Sequence, residues 1–314
     1  MTSEQVRAAP TRRRAHWHTA LTLAVLVGAA YLARRHWTVL ESGAGRLVVA
    51  DQGWLLVAAT ATAGTWLCAA LAQQGAVPER LPRGRLVATQ FAACAANHVL
   101  PAGLGAGAVN LRFLMRCGLP AGRSVTAVAV KGTAGAVVRG ALIAVLAAVC
   151  PGVLRIPPVP GAVLAAVLAV ALGVTVLRAS PLWARCRRAL AAGLADVRAV
   201  HARPPRAAAL WGGSLAFVTL HALVLIAVTR AVALPLPPVR VAMLYLAASA
   251  AAALLPTPGG LGSLDAVLAL ALTAAGAPAA AAASAVLGYR LLTVWLPLLP
   301  GLVVLGVLIR RKAL

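Results

Sequence analysis

The sequence predicts an all-α polytopic membrane protein built from two halves of inverted topology. Hydrophobic residues make up 61% of its 314 residues and charged residues only 11%, whereas soluble domains carry about 25% charged residues. Because water does not solvate so apolar a surface, lipid must cover most of the chain. The second observation is a series of apolar stretches of spanning length, two of which are interrupted by Pro and Gly.

The charge balance is strongly basic, with 29 Lys and Arg against 6 Asp and Glu. In a soluble protein this balance would indicate nucleic-acid binding. Here the cations cluster between the apolar stretches, which is typical of the cytoplasmic Lys/Arg excess of membrane proteins. We therefore expect no nucleic-acid partner. A GC-rich genome remains a second explanation for the bias towards Arg and Ala.

Apolar stretches follow one another along the whole chain, and most are close to the roughly 20 residues that a spanning helix requires. They occupy residues 17–36, 52–74, 86–116, 124–150, 159–178, 207–233, 240–276 and 280–309. Two are too long for one span and are broken at their centres. The breaks hold Pro101, Gly103 and Gly105 in the first, and Pro256, Pro258, Gly259, Gly260 and Gly262 in the second. Pro removes a backbone donor and Gly loosens a helix, so each stretch should form two short helices joined by an irregular turn.

Lys and Arg placement predicts the orientation of each element. The tails 1–16 and 310–314 and the basic loop 179–206 should be cytoplasmic, in a plasma-membrane protein. With about six full spans, hairpin 86–116 then begins and ends inside, and hairpin 240–276 begins and ends outside.

The resulting order of elements is the same in both membrane halves. The first half, 17–158, and the second, 159–309, each contain span, span, hairpin and span, in opposite orientation, which is the pattern of an inverted repeat. Re-entrant arms and pairs of short full spans would both return the chain to the face of the membrane from which it entered. Arms of about 15 residues, about 22 Å long, favour re-entrant hairpins, since the hydrocarbon core is about 30 Å thick.

The two breaks are also the predicted centre of function. Irregular backbone at membrane depth is tolerated only where protein buries it or a water-filled cavity borders it. Breaks that enter from opposite faces should meet near the midplane, where half-helix N-termini offer backbone N–H groups to an anion. A pair of packing kinks is the alternative interpretation.

Ionisable residues inside the predicted spans are the second functional signal. Lys131, Arg139 and Arg290 lie within spans, where each charge costs about 2.5–3.5 kcal/mol at the bilayer centre on insertion scales. Asp265 is the only acid predicted within the membrane, and it follows the second break. We interpret these residues as a cationic cavity in which Asp265 holds one Arg in place. A purely structural ion pair between Asp265 and Arg290 is the alternative.

Residues near the first break are weaker candidates. Asn97 could cap or hydrogen-bond there, and Arg112 either joins the site or extends to the membrane surface. His98 and His221 lack ligand-like spacing and are interpreted as packing residues. The sequence holds no paired carboxylates, Ser/His/Asp set, metal-ligand cluster or GxxxxGK[ST] loop, so we expect no enzymatic activity, metal or cofactor.

Two motifs resemble those of a known family. The segment Pro256-Thr-Pro-Gly-Gly-Leu-Gly-Ser-Leu-Asp265, followed by Gly288-Tyr-Arg-Leu-Leu-Thr-Val-Trp-Leu-Pro297, is similar to the C-terminal signature of the lysylphosphatidylglycerol synthetase transmembrane-region family. The resemblance covers nearly the whole chain, including the region from Asn97 to Arg112. It implies a role in lipid translocation and points to the Pro and Gly residues of the second break, to Asp265 and to Arg290.

The chain departs from the family pattern in three places. Asp265 stands where the family usually has Glu, which is a conservative change. Gly105-Ala-Gly107 stands where a Gly-Glu pair is frequent, and Lys131 begins a segment where an acidic residue and an Arg are frequent; these two changes leave the first-half site open. No soluble acyltransferase-like domain follows residue 309, so we expect no aminoacylation of lipid by this chain.

These observations predict a flippase-like protein that moves an anionic phospholipid or lipid-linked headgroup. A proton-coupled transporter of a small anion is one alternative, and it would depend on Asp265. A non-transporting accessory protein of a cell-envelope glycosyltransferase is another, against which the intramembrane Lys131 and Arg139 argue. Expected partners are anionic membrane lipids, with a second copy of the chain or a cell-envelope biosynthetic enzyme as further possibilities.

Overall fold

The computed structural model describes residues 45–47, 49–99, 104–149, 195, 197–253, 262–311 and 313–314. Within these ranges the chain is helical and contains no strand, which confirms the predicted all-α class. The helices are α1 (Gln52–Gly75), α2 (Arg83–Val99), α3 (Leu104–Arg116), α4 (Ala121–Val149), α5 (Pro204–Ala231), α6 (Pro238–Ala253), α7 (Ser263–Ala274), α8 (Ala279–Arg290) and α9 (Leu296–Arg310). A π-helical turn, Leu291–Trp295, joins α8 to α9.

Four helices in the described ranges are long and apolar enough to cross a bilayer. They are α1, α4, α5 and the continuous helix Ala279–Arg310 formed by α8, the π turn and α9. Their 24 to 32 residues correspond to about 36–48 Å at 1.5 Å per residue. They coincide with four of the predicted spans and show a multi-pass membrane protein. The predicted spans 17–36 and 159–178 lie outside the described residues, so the total number of spans stays a prediction.

Each of the two broken stretches contains two separate short helices. In the first, α2 ends at Val99 and α3 begins at Leu104; in the second, α6 ends at Ala253 and α7 begins at Ser263. The helices have 12 to 17 residues, or about 18–26 Å, which is shorter than a hydrocarbon core of about 30 Å. Residues 100–103 and 254–261, which include most of the Pro and Gly positions, lie outside the described residues. Re-entry of the hairpins therefore stays a prediction.

The described residues divide into two compact units that do not follow the two sequence halves. The first unit combines residues from Met1–Ala63, Ala88–Asn110 and Leu220–Leu314, and the second combines Gly64–Val87 with Leu111–Thr219. Asn97, Asp265 and Arg290 therefore belong to the first unit. Arg112, Lys131 and Arg139 belong to the second.

In the first unit, small residues let helix backbones approach closely. A Cβ atom at Gly105 of α3 would lie only 2.0 Å from the carbonyl oxygen of Ala96 on α2, and one at Gly301 of α9 would lie 2.7 Å from the Ala95 Cβ. Helix α7 packs against both α6 and α8, and Leu268 on α7 is fully buried. Close backbone packing of this kind holds membrane helices together without a hydrophobic driving force.

In the second unit, the start of α5 is bound to the end of α1. A Cβ at Gly75 would lie 2.2 Å from the backbone nitrogen of Leu210, so the two backbones touch. Arg206 donates hydrogen bonds to the carbonyl oxygens of Gln74, at 2.9 Å, and Pro78, at 3.0 Å. The bond to Gln74 satisfies a carbonyl group at the C-terminus of α1 that has no partner within the helix.

Candidate functional site

The site begins at the N-terminus of α7, directly after the second Pro/Gly break. Gly262 precedes the helix with φ 79°, a left-handed conformation that glycine adopts without a Cβ penalty. Asp265 lies in the first turn, and its Oδ2 accepts a hydrogen bond from the Gly262 backbone N–H at 2.9 Å. A carboxylate at this position satisfies a backbone donor and interacts favourably with the helix dipole.

The second oxygen of Asp265 holds Arg290, the last residue of α8. The Arg290 Nε donates to Asp265 Oδ1 and forms an ion pair with it. The Arg290 side chain is only 7% exposed, whereas that of Asp265 is 32% exposed. The cation is therefore buried within the protein, and the carboxylate that pairs with it is partly exposed. The predicted contact between these two residues is present.

Arg290 lies near the middle of a helix long enough to span the membrane. Arg290 is the twelfth residue of the 32-residue helix Ala279–Arg310. When that helix is centred on the bilayer, Arg290 lies about 7 Å from the midplane, well inside a hydrocarbon core of about 30 Å. The π turn begins at the next residue, Leu291, and such turns occur frequently at functional sites.

A buried aromatic cluster supports the helix that carries Arg290. The Tyr289 hydroxyl donates to the Tyr245 hydroxyl at 3.2 Å, and both side chains are buried. The rings of Tyr245 and Tyr289 have centroids 5.6 Å apart, and the His221 ring lies 6.4 Å from that of Tyr245. Helices α5, α6 and α8 are therefore joined beside the ion pair. His221 lies in this packed cluster.

His98 brings the first broken stretch to the same place. It lies in the last turn of α2, one residue before the helix ends, and it interacts electrostatically with both Arg290 and Asp265. Its Nδ1 atom is buried and has no hydrogen-bond partner in the described structure. The sequence predicts a packing residue at His98 and does not predict this relation. The available signal was its position two residues before the Leu100-Pro101 break.

The two helices of the first broken stretch are joined by a buried polar contact. The Gln90 side chain on α2 donates to the Asn110 Oδ1 on α3 at 2.7 Å, and Asn110 donates to the Ala106 carbonyl oxygen at 2.8 Å. Asn97, the sequence candidate on α2, is half-buried. Because a buried hydrogen bond between side chains fixes the relation of two helices, this contact holds α2 against α3.

The remaining predicted cations lie in the second unit. Lys131 is half-buried on the face of α4 that also carries the buried Ala127 and Ala134. Arg139 is half-buried, and its Nε atom is buried without a hydrogen-bond partner in the described structure. Arg112 is exposed on α3. A cavity shared by these cations and Arg290 stays a prediction.

These features define a multi-pass α-helical membrane protein with short, paired helices, two of which are linked by a partly buried ion pair. The chain belongs to the lysylphosphatidylglycerol synthase TM region family, whose model matches residues 19–301. This match confirms the family resemblance carried by the Pro256–Asp265 and Gly288–Pro297 segments. No curated protein matches the chain significantly.

Proposed function

We propose that the protein moves an anionic lipid, or a lipid-linked anionic headgroup, between the two leaflets of the plasma membrane. The observation that carries this proposal is the ion pair between Asp265 and Arg290 at the start of α7. Membership of a flippase-like membrane family supports it, as do the short helices on either side of both breaks. In this proposal the tails face the cytoplasm, and the chain catalyses no covalent chemistry.

The physical obstacle to lipid movement is the charged headgroup, because an ion without a partner is costly to bury in hydrocarbon. A buried Arg lowers that cost by pairing with the phosphate. Between transport events Arg290 needs a counter-ion of its own, since a buried charge without a partner strongly destabilises a fold. Asp265 supplies this counter-ion, and its partial exposure lets a headgroup approach the pair. Lys131 and Arg139 would add positive charge along the path.

A lipid-movement assay in reconstituted vesicles tests the proposal. Vesicles containing fluorescent phosphatidylglycerol are treated with an impermeant quencher, which removes signal from the inner leaflet only if lipid crosses. We expect the wild-type protein to give full quenching and the Arg290→Ala variant to give the partial quenching of protein-free vesicles. Arg310→Ala, which alters an exposed Arg at the end of α9, is the matched control and should behave as wild type. The proposal would be refuted if vesicles with wild-type protein were quenched no further than protein-free vesicles. Equal rates for wild type and Arg290→Ala would also refute it.

Proton-coupled transport of a small anion is a second candidate, favoured by the 32% exposure of the Asp265 side chain. A carboxylate that solvent reaches, beside a buried cation, is able to exchange a proton during transport. A protonophore separates the two candidates. Coupled transport by wild type would slow when the pH gradient is removed, and Asp265→Asn would lose that sensitivity. Lipid movement without coupling would be unaffected by the protonophore.

A further inference from the structure

We infer that His98 is a third ligand-binding residue of this site and that its Nδ1–H donates a hydrogen bond to a phosphodiester oxygen of the headgroup. The inference rests on the proposed function and adds to it a recognition element from the first broken stretch. Neither the sequence spacing nor the family signature, which lies in residues 256–297, indicates this role for His98.

The Nδ1 atom of His98 is buried and has no hydrogen-bond partner in the described structure. A buried polar group without a partner costs about 1–3 kcal/mol, and nearly all such groups in proteins are paired. Other buried polar groups follow that rule: Gln90 is bonded to Asn110, and Tyr289 to Tyr245. The Nδ1 atom of His98 is one of several buried polar atoms in the described ranges that do not, and His98 also interacts with the ion pair, so a bound molecule is assigned as its partner.

His98 is close enough to both members of the ion pair to interact with them electrostatically. The three side chains come from three helices, α2, α7 and α8. A neutral imidazole donates one hydrogen bond and accepts one. A phosphodiester carries its negative charge on two oxygens, so one can accept from the Arg290 guanidinium and the other from the neutral His98 donor. These two donors therefore fit a phosphodiester as the ligand class.

A binding experiment tests this assignment independently of lipid movement. Detergent-solubilised protein is titrated with dioctanoyl phosphatidylglycerol, and the rise in melting temperature gives the midpoint of binding. Dioctanoylglycerol, which has no phosphate, and inorganic phosphate, which has no acyl chains, are the two comparison probes. Stabilisation by phosphatidylglycerol alone identifies a lipid headgroup, and equal stabilisation by inorganic phosphate identifies a free-phosphate site.

His98→Leu should weaken phosphatidylglycerol binding at least about tenfold, as expected for loss of a hydrogen bond to a charged group. His98→Asn, whose amide nitrogen takes a position close to Nδ1, should bind within about threefold of wild type. His98→Gln, whose amide lies nearer the Nε2 position, should resemble His98→Leu. If the Leu variant does not fold, comparison of the binding midpoints of His98→Asn and His98→Gln still tests the assignment. His201→Leu, at an exposed histidine of the second unit, is the control and should bind as wild type.

Equal binding midpoints for wild type and His98→Leu, or equally weak binding by the Asn and Gln variants, would overturn the assignment. The outcome is separable from the proposed function. If wild type binds phosphatidylglycerol through His98 but does not move it, lipid movement is refuted and the binding site stands. If wild type moves lipid and the His98 variants bind normally, only the role of His98 is refuted.

Discussion

Removing the carboxylate of Asp265 should destabilise the protein by about 2–4 kcal/mol. Leaving a buried cation without its partner costs about 3–5 kcal/mol, and the Arg290 side chain is only 7% exposed. Loss of the bond to the Gly262 N–H adds about 1 kcal/mol. The Asp265 side chain is 32% exposed, so the pair is only partly buried and the sum is reduced. Asp265→Asn loses the charge but keeps one of the two acceptor oxygens, so it should destabilise the protein less than Asp265→Ala.

The assay is reversible unfolding in mixed micelles titrated with dodecyl sulfate, which gives the free energy of unfolding for each variant. The informative comparison is the double-mutant cycle of Asp265→Ala and Arg290→Ala. Because the second substitution removes the charge that the first leaves without a partner, the double variant should recover about 2 kcal/mol relative to the sum of the single effects. Additivity within about 0.5 kcal/mol would show that the two side chains do not stabilise each other and would refute the reasoning.

Three further predictions concern other parts of the molecule. Gly105→Ala should lower the melting temperature in detergent, because its Cβ would lie 2.0 Å from a backbone oxygen of α2, whereas Gly107→Ala, which meets nothing within 4 Å, should leave it unchanged; equal effects would contradict the close contact of α2 with α3. Burial raises the pKa of the Cys117 thiol, and the positive charge of Arg85 partly offsets this rise. Maleimide labelling of a variant that retains only Cys117 should therefore increase as pH rises, and Arg85→Ala should move the labelling curve to higher pH; a shift to lower pH would contradict this assignment. Single cysteines in the α3–α4 turn and the α5–α6 turn should be labelled from the cytoplasmic and outer faces respectively, and labelling from one face only would overturn the predicted inverted topology.

The helical class and the positions of the long helices were predictable from the sequence because bilayer thickness sets the length of a spanning helix. The stretches 52–74 and 280–309, for example, correspond to the helices Gln52–Gly75 and Ala279–Arg310. The splitting of stretch 240–276 into two helices was predictable for a different reason. Pro and Gly at its centre cannot continue a regular helix, and α6 and α7 lie on either side of them.

The site was predictable only where chemistry left few choices. Asp265 is the sole acid in the predicted membrane region, so a neighbouring Arg was the natural partner for it. His98 was not predictable, since its relation to Arg290 depends on how α2 packs and not on any spacing along the chain. The same is true of the hydrogen bond between Tyr245 and Tyr289, which are 44 residues apart.

A cryo-electron microscopy map of the protein in phosphatidylglycerol nanodiscs tests the central claim most directly. The account predicts a lipid phosphate within about 3 Å of both the Arg290 guanidinium and the His98 ring, with Asp265 still in contact with Arg290. A map in which the Arg290 side chain opens to bulk water at a membrane surface, with no headgroup beside it, would contradict the account.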